Sequence, residues 1–541
     1  MKARVLELLM SANGSRPASS FFVTTPIYYV NDQPHIGHAY TSLAADVTAR
    51  FHRLAGKDVF FLTGTDEHGQ KVAQSAAAAG VSPKEFTDRV SQNFRDLTLL
   101  LNFSNDDFIR TTEPRNIAAA QALWRAMAAA TAPDGRPAIY LGSYSGWYAV
   151  RDEAFYDEAE LRDGPGGTKL APSGAPVAWV EEPSYFFRLS AYGDALLQFY
   201  DAHPDFIAPV SRRNEVASFV KGGLRDLSIS RTSFSWGVPV PGDEKHVMYV
   251  WLDALVNYIA ALGYPETGEW SPYARYWPAD LHLVGKDIVR FHTVYWPAFL
   301  MAAGLPEPQR VFAHGWWTIE GQKMSKSLGN VIAPADLVAR YGLDQARYLL
   351  LAEVPFGNDG DFSHSAAIRR INADLANGLG NLAQRTLTLI QKNCGGVVPT
   401  PGPLTEADRV LLGFADNLLS SVKGALRGQL FHEVLRTVWV LISDGDSYID
   451  ANAPWALRKT DPARMETVLY VLAEVLRATG IVLQPFMPET IGRLLDKLAV
   501  PADKRSFASL GEVGRLAIGV PLPPPPPKGL FPRIENEETT G

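Results

Sequence analysis

FFVTT (residues 21–25), GHAYTSLAADVTARFHRLAG (37–56) and DVFFLTGT (58–65) decide the fold between them. The two short runs are apolar without alternation, as in strands buried on both faces. Between them apolar residues recur three and four apart, the spacing of a helix, and Gly56 closes it as a C-cap. Strand, helix, strand within about 45 residues is a βαβ unit, which predicts a parallel sheet. DEHGQKVAQSAAAAG then supplies another helix, stopped by Gly80, and Ser82-Pro83-Lys84-Glu85 reads as a capping box with proline at the first helical position.

An alanine-rich helix over 115–130 follows. From 131 to about 227 the texture changes to short aromatic runs and a DGPGGTK loop, which reads as an insertion with its own β-structure. The parallel pattern resumes with strands HVMYVWLD (246–253) and LHLVG (281–285), a helix over 287–304 and a strand RVFAHG (310–315). Gly, Lys and Ser then make a loop of 321–330. Helical spacing dominates 366–520, as in a helix bundle. Five consecutive prolines at 523–527 rule out a helix and predict an extended strap.

Of 541 residues, 46% are hydrophobic, 20% charged and 11% aromatic, which excludes a disordered or fibrous chain. No apolar run reaches the length of a membrane span. Residues 1–20 read as a frayed tail; their VLELLM is short and contains Glu7, unlike a signal peptide. A single cysteine, Cys394, excludes an internal disulfide and a Cys-rich zinc knuckle, and fits an intracellular protein. The net charge is −7, yet residues 366–520 carry 17 Lys and Arg against 15 Asp and Glu. A mildly basic C-terminal block on an acidic body is compatible with a nucleic-acid partner without demanding one.

Two short motifs carry chemistry. Pro34-His35-Ile36-Gly37-His38 joins the first strand to its helix, where a parallel sheet places ligands and a helix N-terminus offers N–H groups to an anion. Both histidines lie on one face of the first turn, where Nε2–H can donate to phosphate, and Gly37 lets a flat base or ribose approach. Taken alone, the motif also reads as two surface histidines, or as half of a zinc site with no third ligand nearby. Lys323-Met324-Ser325-Lys326-Ser327, flanked by glycines, is a cationic loop able to close over a polyphosphate; alone, it also reads as a solvated charged loop.

Together, at the start and end of one interrupted parallel sheet, the two motifs resemble the signature pair of the class I aminoacyl-tRNA synthetases. TTPIYYVNDQPHIGH, GTDEHGQK, YVWLDALVNY, VGKDIVRFH and GQKMSKSLGN narrow the resemblance to the methionyl-tRNA synthetases, over about residues 21 to 534. The resemblance implies a multidomain α/β protein with a Rossmann-type catalytic domain in two halves (21–114 and 228–310) around an inserted connective domain (115–227). A lysine-loop and stem-contact region (311–365), a helical anticodon-binding domain (366–520) and a proline-rich strap (521–541) complete it, after the tail 1–20. It implies activation of L-methionine by ATP to methionyl-adenylate with release of pyrophosphate. Transfer to the 3′-terminal adenosine of initiator and elongator tRNA-Met follows. His35, His38, Lys323 and Lys326 would be catalytic, with Gly37, Arg231, Gly285, Lys286 and Asp287 completing the ATP site. Mg2+ would come with ATP. Ile27, Tyr29, Asp66, Trp251, Tyr258, Phe291 and His292 would bind methionine, with Asp66 on the ammonium and Trp251, Tyr258 and Phe291 boxing the thioether. Asn381, Arg385 and Trp455 would read the anticodon. Read without the family, the aromatics are also plain core, Lys286, Asp287 and Arg231 structural ion pairs, and Asn381 and Arg385 an exposed helix face.

Two departures matter. Where relatives often carry Cys-x-x-Cys in the insert, this chain has Ala149 and Asp152, so the expectation is a knuckle without zinc, held by Trp147, Tyr148 and Phe155. Relatives with an appended tRNA-binding barrel dimerise; none is read here, which makes a cytoplasmic monomer the expectation. The synthetases for valine, isoleucine and leucine carry larger insertions, and the cysteine enzyme needs zinc-binding thiols. Small adenylyltransferases lack the helical block, and with both motifs intact nothing supports a non-catalytic tRNA-binding paralogue.

Overall fold

The computed structural model describes residues 19–30, 33–152, 154–324 and 330–535, with the backbone alone at 144, 154, 155 and 323. The chain divides into two compact units. Of the described residues, the first takes those up to Pro34, from Val59 to Leu99 and from Ser104 to His314; the second takes His35–Asp58, Leu100–Phe103 and those from Gly315 onward.

The first unit holds a sheet of seven strands: β1 (Ser20–Thr24), β2 (Tyr28–Tyr29), β3 (Asp58–Asp66), β4 (Asp107–Arg110), β5 (Ile207–Ala208), β6 (Leu281–Gly285) and β7 (Val311–His314). The order is β5-β7-β6-β1-β3, with β2 and β4 both on β3. β1 with β6, β6 with β7, β5 with β7, and β2 and β4 with β3 all pair in parallel, as non-alternating apolar strands require. The helices Pro114–Ala128 and Val250–Ala260 pack on each other and share one core with Phe22, Leu62 and Val284 of the sheet. The buried Ala119 and Ala120 keep that approach close.

The expected strand over 246–253 ends early: Asp243–Met248 is a strand, and Val250–Ala260 is a helix. Ten of that helix's eleven residues are buried, so its sequence shows no helical period. The expected helix over 287–304 is also broken, into a 3-10 turn at Lys286–Ile288, a π-helical turn at Phe291–Tyr295 and the α-helix Trp296–Ala303. The insertion is an antiparallel sheet in the order Leu227–Ser228, Ala178–Phe187, Ile139–Ala149, Ala154–Tyr156.

In the second unit the helix Ile36–Leu54 joins a bundle. The centre of the bundle is Pro462–Leu483, buried without a break from Thr467 to Leu483. It packs against Asn381–Asn393, Glu406–Arg427, Phe431–Asn452, Pro454–Thr460 and Pro488–Lys497. Its two internal charges, Glu474 and Arg477, pair at 2.9 Å, and Arg477 also donates to the carbonyl of Ser509. The proline-rich strap is tied down. Asn372 exchanges two hydrogen bonds with the Ile534 backbone, and Leu530 and Phe531 are buried. Among the described residues no helix is long and apolar enough to cross a membrane.

Candidate active site

The second unit presents His35 and His38 at the start of Ile36–Leu54. His35 Nδ1 accepts from the N–H of Gly37 at 3.1 Å, and His38 Nδ1 accepts from the N–H of His35 at 3.1 Å. The pair is a capping box made of imidazoles, with rings 3.8 Å apart. Burial, and then the His35 ring, push the His38 pKa well below the usual imidazole value, so that ring is neutral. Because each Nδ1 accepts, the proton of each neutral ring sits on Nε2, and both rings become Nε2–H donors. Gly37 answers to His35: a Cβ there would lie 2.9 Å from the His35 ring.

The N–H of Ile36 donates to the carbonyl of Ile332, which ties the histidine turn to the chain just past the lysine loop. Lys323 ends the strand Gln322–Lys323, which pairs antiparallel with Trp317–Ile319. Asp361 holds that hairpin: its Oδ1 accepts from the Thr318 hydroxyl and from the N–H of Gly321. The Lys323 side chain and the whole of Lys326 lie outside the described residues.

In the first unit, Tyr29 and Asp66 are register partners at the carboxyl end of the sheet. Trp251 and Phe291 stack face to face, 3.7 Å between centroids and 6° between planes, and both are half-buried. The Tyr258 hydroxyl is 2.7 Å from His292 Nε2, and His292 Nδ1 is 3.0 Å from the carbonyl of Ile288. That carbonyl only accepts, so Nδ1 carries the proton and Tyr258 donates to Nε2. Burial lowers the His292 pKa to about 4 and raises that of Tyr258, which keeps both neutral. Ile27 packs on the same core.

Phe291 and His292 sit on the π-helical turn, and its cause is legible. Pro297 has no N–H to offer the carbonyl of Thr293 one turn back. The buried Tyr200, from the helix Gly193–Ala202, donates to that carbonyl at 2.5 Å. Sequence reasoning missed Tyr200; the proline inside an expected helix was the signal.

On the expected ATP side, Lys286 and Asp287 follow β6, and the Asp287 carboxylate lies over Gly285, where a Cβ would meet it at 2.5 Å. Arg231 is buried, lies over the Tyr249 ring at 4.8 Å, and donates to Ser228 Oγ at 2.8 Å. In the second unit, Arg385 lies 5.4 Å from the Trp455 ring and 2.5 Å from Asp450, and Asn381 begins the same helix. In the insertion, Ala149, Ala171 and Ala175 form a small core, while Ser173, Tyr156 and Arg151 all bond to Asp152. The described side chains nearby therefore do not fit a zinc ion, and Trp147 stacks edge-on against Trp179. The Phe155 side chain lies outside the described residues.

Two family models match. That for class I tRNA synthetases (M) covers residues 21–165 and 168–387, and that for the anticodon-binding domain of methionyl-tRNA ligase covers 398–541. The methionine–tRNA ligase of Brucella suis is 57% identical over 96% of this chain and 99% of its own. The chain belongs to the methionyl-tRNA synthetase family. It is thus a class I synthetase, and its activity is the ligation of methionine to tRNA. The methionine–tRNA ligase of Mycobacterium tuberculosis is 53% identical over 95% of this chain. A solved methionyl-tRNA synthetase from M. tuberculosis, in complex with methionyl-adenylate, aligns with a TM-score of 0.92, covering 95% of this chain and all of that one. The free-state structure from the same organism aligns at 0.85.

Proposed function

We propose that the residues described above divide the two-step reaction among themselves as follows. The carboxylate of methionine attacks the α-phosphate of ATP, and the bond to pyrophosphate breaks. His35 and His38 donate from Nε2 to phosphate oxygens as charge builds, and Lys323 and Lys326 hold the β- and γ-phosphates. Such preorganised donors act chiefly by positioning and charge stabilisation. Gly37, Arg231, Gly285, Lys286 and Asp287 order the nucleotide. Asp66 pairs with the α-ammonium. Trp251 and Phe291 lie along the thioether, and Tyr258, His292, Ile27 and Tyr29 complete the pocket. A neutral, fully paired Tyr258–His292 couple suits an uncharged side chain. Mg2+ arrives on the phosphates of ATP. Among the described residues no group of three or more His, Cys, Asp or Glu is placed to hold it.

The methionyl group then passes to the 2′ hydroxyl of the terminal adenosine of tRNA-Met, with release of AMP. Asn381, Arg385 and Trp455 read the anticodon of initiator and elongator tRNA alike. The knuckle works without zinc; elemental analysis of the pure protein is expected to find less than about a tenth of an equivalent, and a stoichiometric amount would overturn this.

The observation that carries the assignment is the imidazole capping box, which makes donors of both Nε2 atoms. The test is ATP–pyrophosphate exchange with each of the twenty amino acids and Lys326→Ala as control. Exchange with methionine alone, falling by about 10²–10³ in the variant, is the expected result. Exchange with another amino acid would discard the pocket assignment.

A further inference from the structure

We propose that His68 and Asp253 form a clasp that positions the methionine pocket, a role that rests on the assignment of Asp66 and Trp251 to that pocket. His68 lies two residues past Asp66, just beyond β3. Asp253 lies two residues past Trp251, in the first turn of Val250–Ala260. His68 Nδ1 is 2.6 Å from Asp253 Oδ2. The carboxylate only accepts, so Nδ1 carries the proton. Asn116 Nδ2, from the helix Pro114–Ala128, donates to the other carboxylate oxygen at 2.8 Å. All three residues are buried, with His68 only 5% exposed.

The segment around His68 is itself held from other sides. The Trp236 indole meets the His68 ring edge-on at 5.2 Å and donates to the carbonyl of Glu67 at 2.7 Å. Arg110 forks onto the Glu67 carboxylate at 2.6 and 2.8 Å. These contacts fix the end of β3, and the His68–Asp253 bond ties it to the helix of Trp251. An apolar contact would hold that helix as firmly. A buried directional hydrogen bond also sets its distance from Asp66, and a bound amino acid must meet a carboxylate and an aromatic plate at once. His68 and Asp253 are therefore positioning residues.

The test uses the full chain in ATP–pyrophosphate exchange, with methionine and ATP titrated separately and melting followed in parallel. His68→Asn places an amide donor where Nδ1 was; His68→Gln places it where Nε2 was. Asp253→Leu removes the acceptor at similar volume. His68→Gln and Asp253→Leu are expected to raise the methionine KM about tenfold, with the ATP KM held within about twofold, and His68→Asn to restore the methionine KM. Equal values for the two His68 variants, parallel changes in both KM values, a fall in melting temperature alone, or failure of both His68→Gln and Asp253→Leu to fold would each overturn the clasp. Absence of methionine-dependent exchange in the unaltered protein would instead remove the pocket assignment itself.

Discussion

Replacing Arg347 by methionine tests how the helix of His35 and His38 is held. Arg347 is wholly buried. Its guanidinium donates to Asp46 Oδ2 at 2.7 Å and to the carbonyls of Phe486, Leu101 and Pro485 at 2.9, 2.7 and 2.8 Å. Asp46 lies two turns along the helix from His38 and keeps a second partner, Arg50, at 2.8 Å. Methionine fills the stem's volume and leaves three carbonyls and one bond to the Asp46 carboxylate unmet. At about 1 kcal/mol for each, the low end for a buried acceptor, the loss is about 4 kcal/mol, in the range for breaking a buried pair from one side. For a unit of this size that lowers the melting temperature by roughly 8–16 °C. Asp46→Asn keeps an acceptor and should cost about half as much. The double variant should fall short of the sum of the singles by about 1 kcal/mol or more, because the two groups share one bond. Differential scanning calorimetry on the full chain, with exchange activity alongside, reads both. Melting of Arg347→Met within about 2 °C of the parent, or strict additivity in the double variant, would refute this account of the clamp.

Three further outcomes follow from the geometry. His292 has a folded pKa of about 4 against 6.5 for a free imidazole, so between those values the unfolded chain binds more protons. Its contribution, about 3 kcal/mol, is complete above pH 6.5 and is lost as the pH falls toward 4; His292→Gln should flatten the melting temperature against pH over that window. Tyr200→Phe strands the Thr293 carbonyl and should lower stability by about 1–3 kcal/mol while raising the methionine KM, read by calorimetry and exchange; an unchanged KM would separate the π-turn from the pocket. Arg385→Ala should raise the tRNA KM in aminoacylation at least about tenfold, since the guanidinium and the Trp455 face act together. An anticodon-substituted tRNA should then lose its disadvantage.

What could be read from the sequence was local. The histidine turn is a motif because its residues work on one another: each Nδ1 caps a neighbouring N–H, and Gly37 makes room for the His35 ring. β1, β3, β6 and β7 were legible because a strand buried on both faces needs an unbroken apolar run. The division into units was not. Ile36–Leu54 is continuous in sequence with β1 and β3, yet it goes with the bundle through Asp46 and Arg347, 301 residues apart. No periodicity within either segment announces that bond.

The helix Val250–Ala260 shows why the pocket was harder to read than the histidine turn. Amphipathic spacing marks a helix only if one face meets water. Here apolar residues run all around, so VWLDALVNY reads as readily as a strand. The two polar residues that break the run, Asp253 and Asn257, are both buried. Asp253 is satisfied by partners 185 and 137 residues away in sequence, His68 and Asn116. A buried carboxylate must find donors, so an aspartate in an otherwise apolar segment marks long-range bonding even where it hides the secondary structure. The same logic holds at Pro297. A proline within a buried helix leaves a carbonyl without its N–H, and some other donor must supply the bond. In both places the residue that spoils the local pattern is the one that reports the tertiary contact, and both contacts end on elements that carry the aromatic pocket.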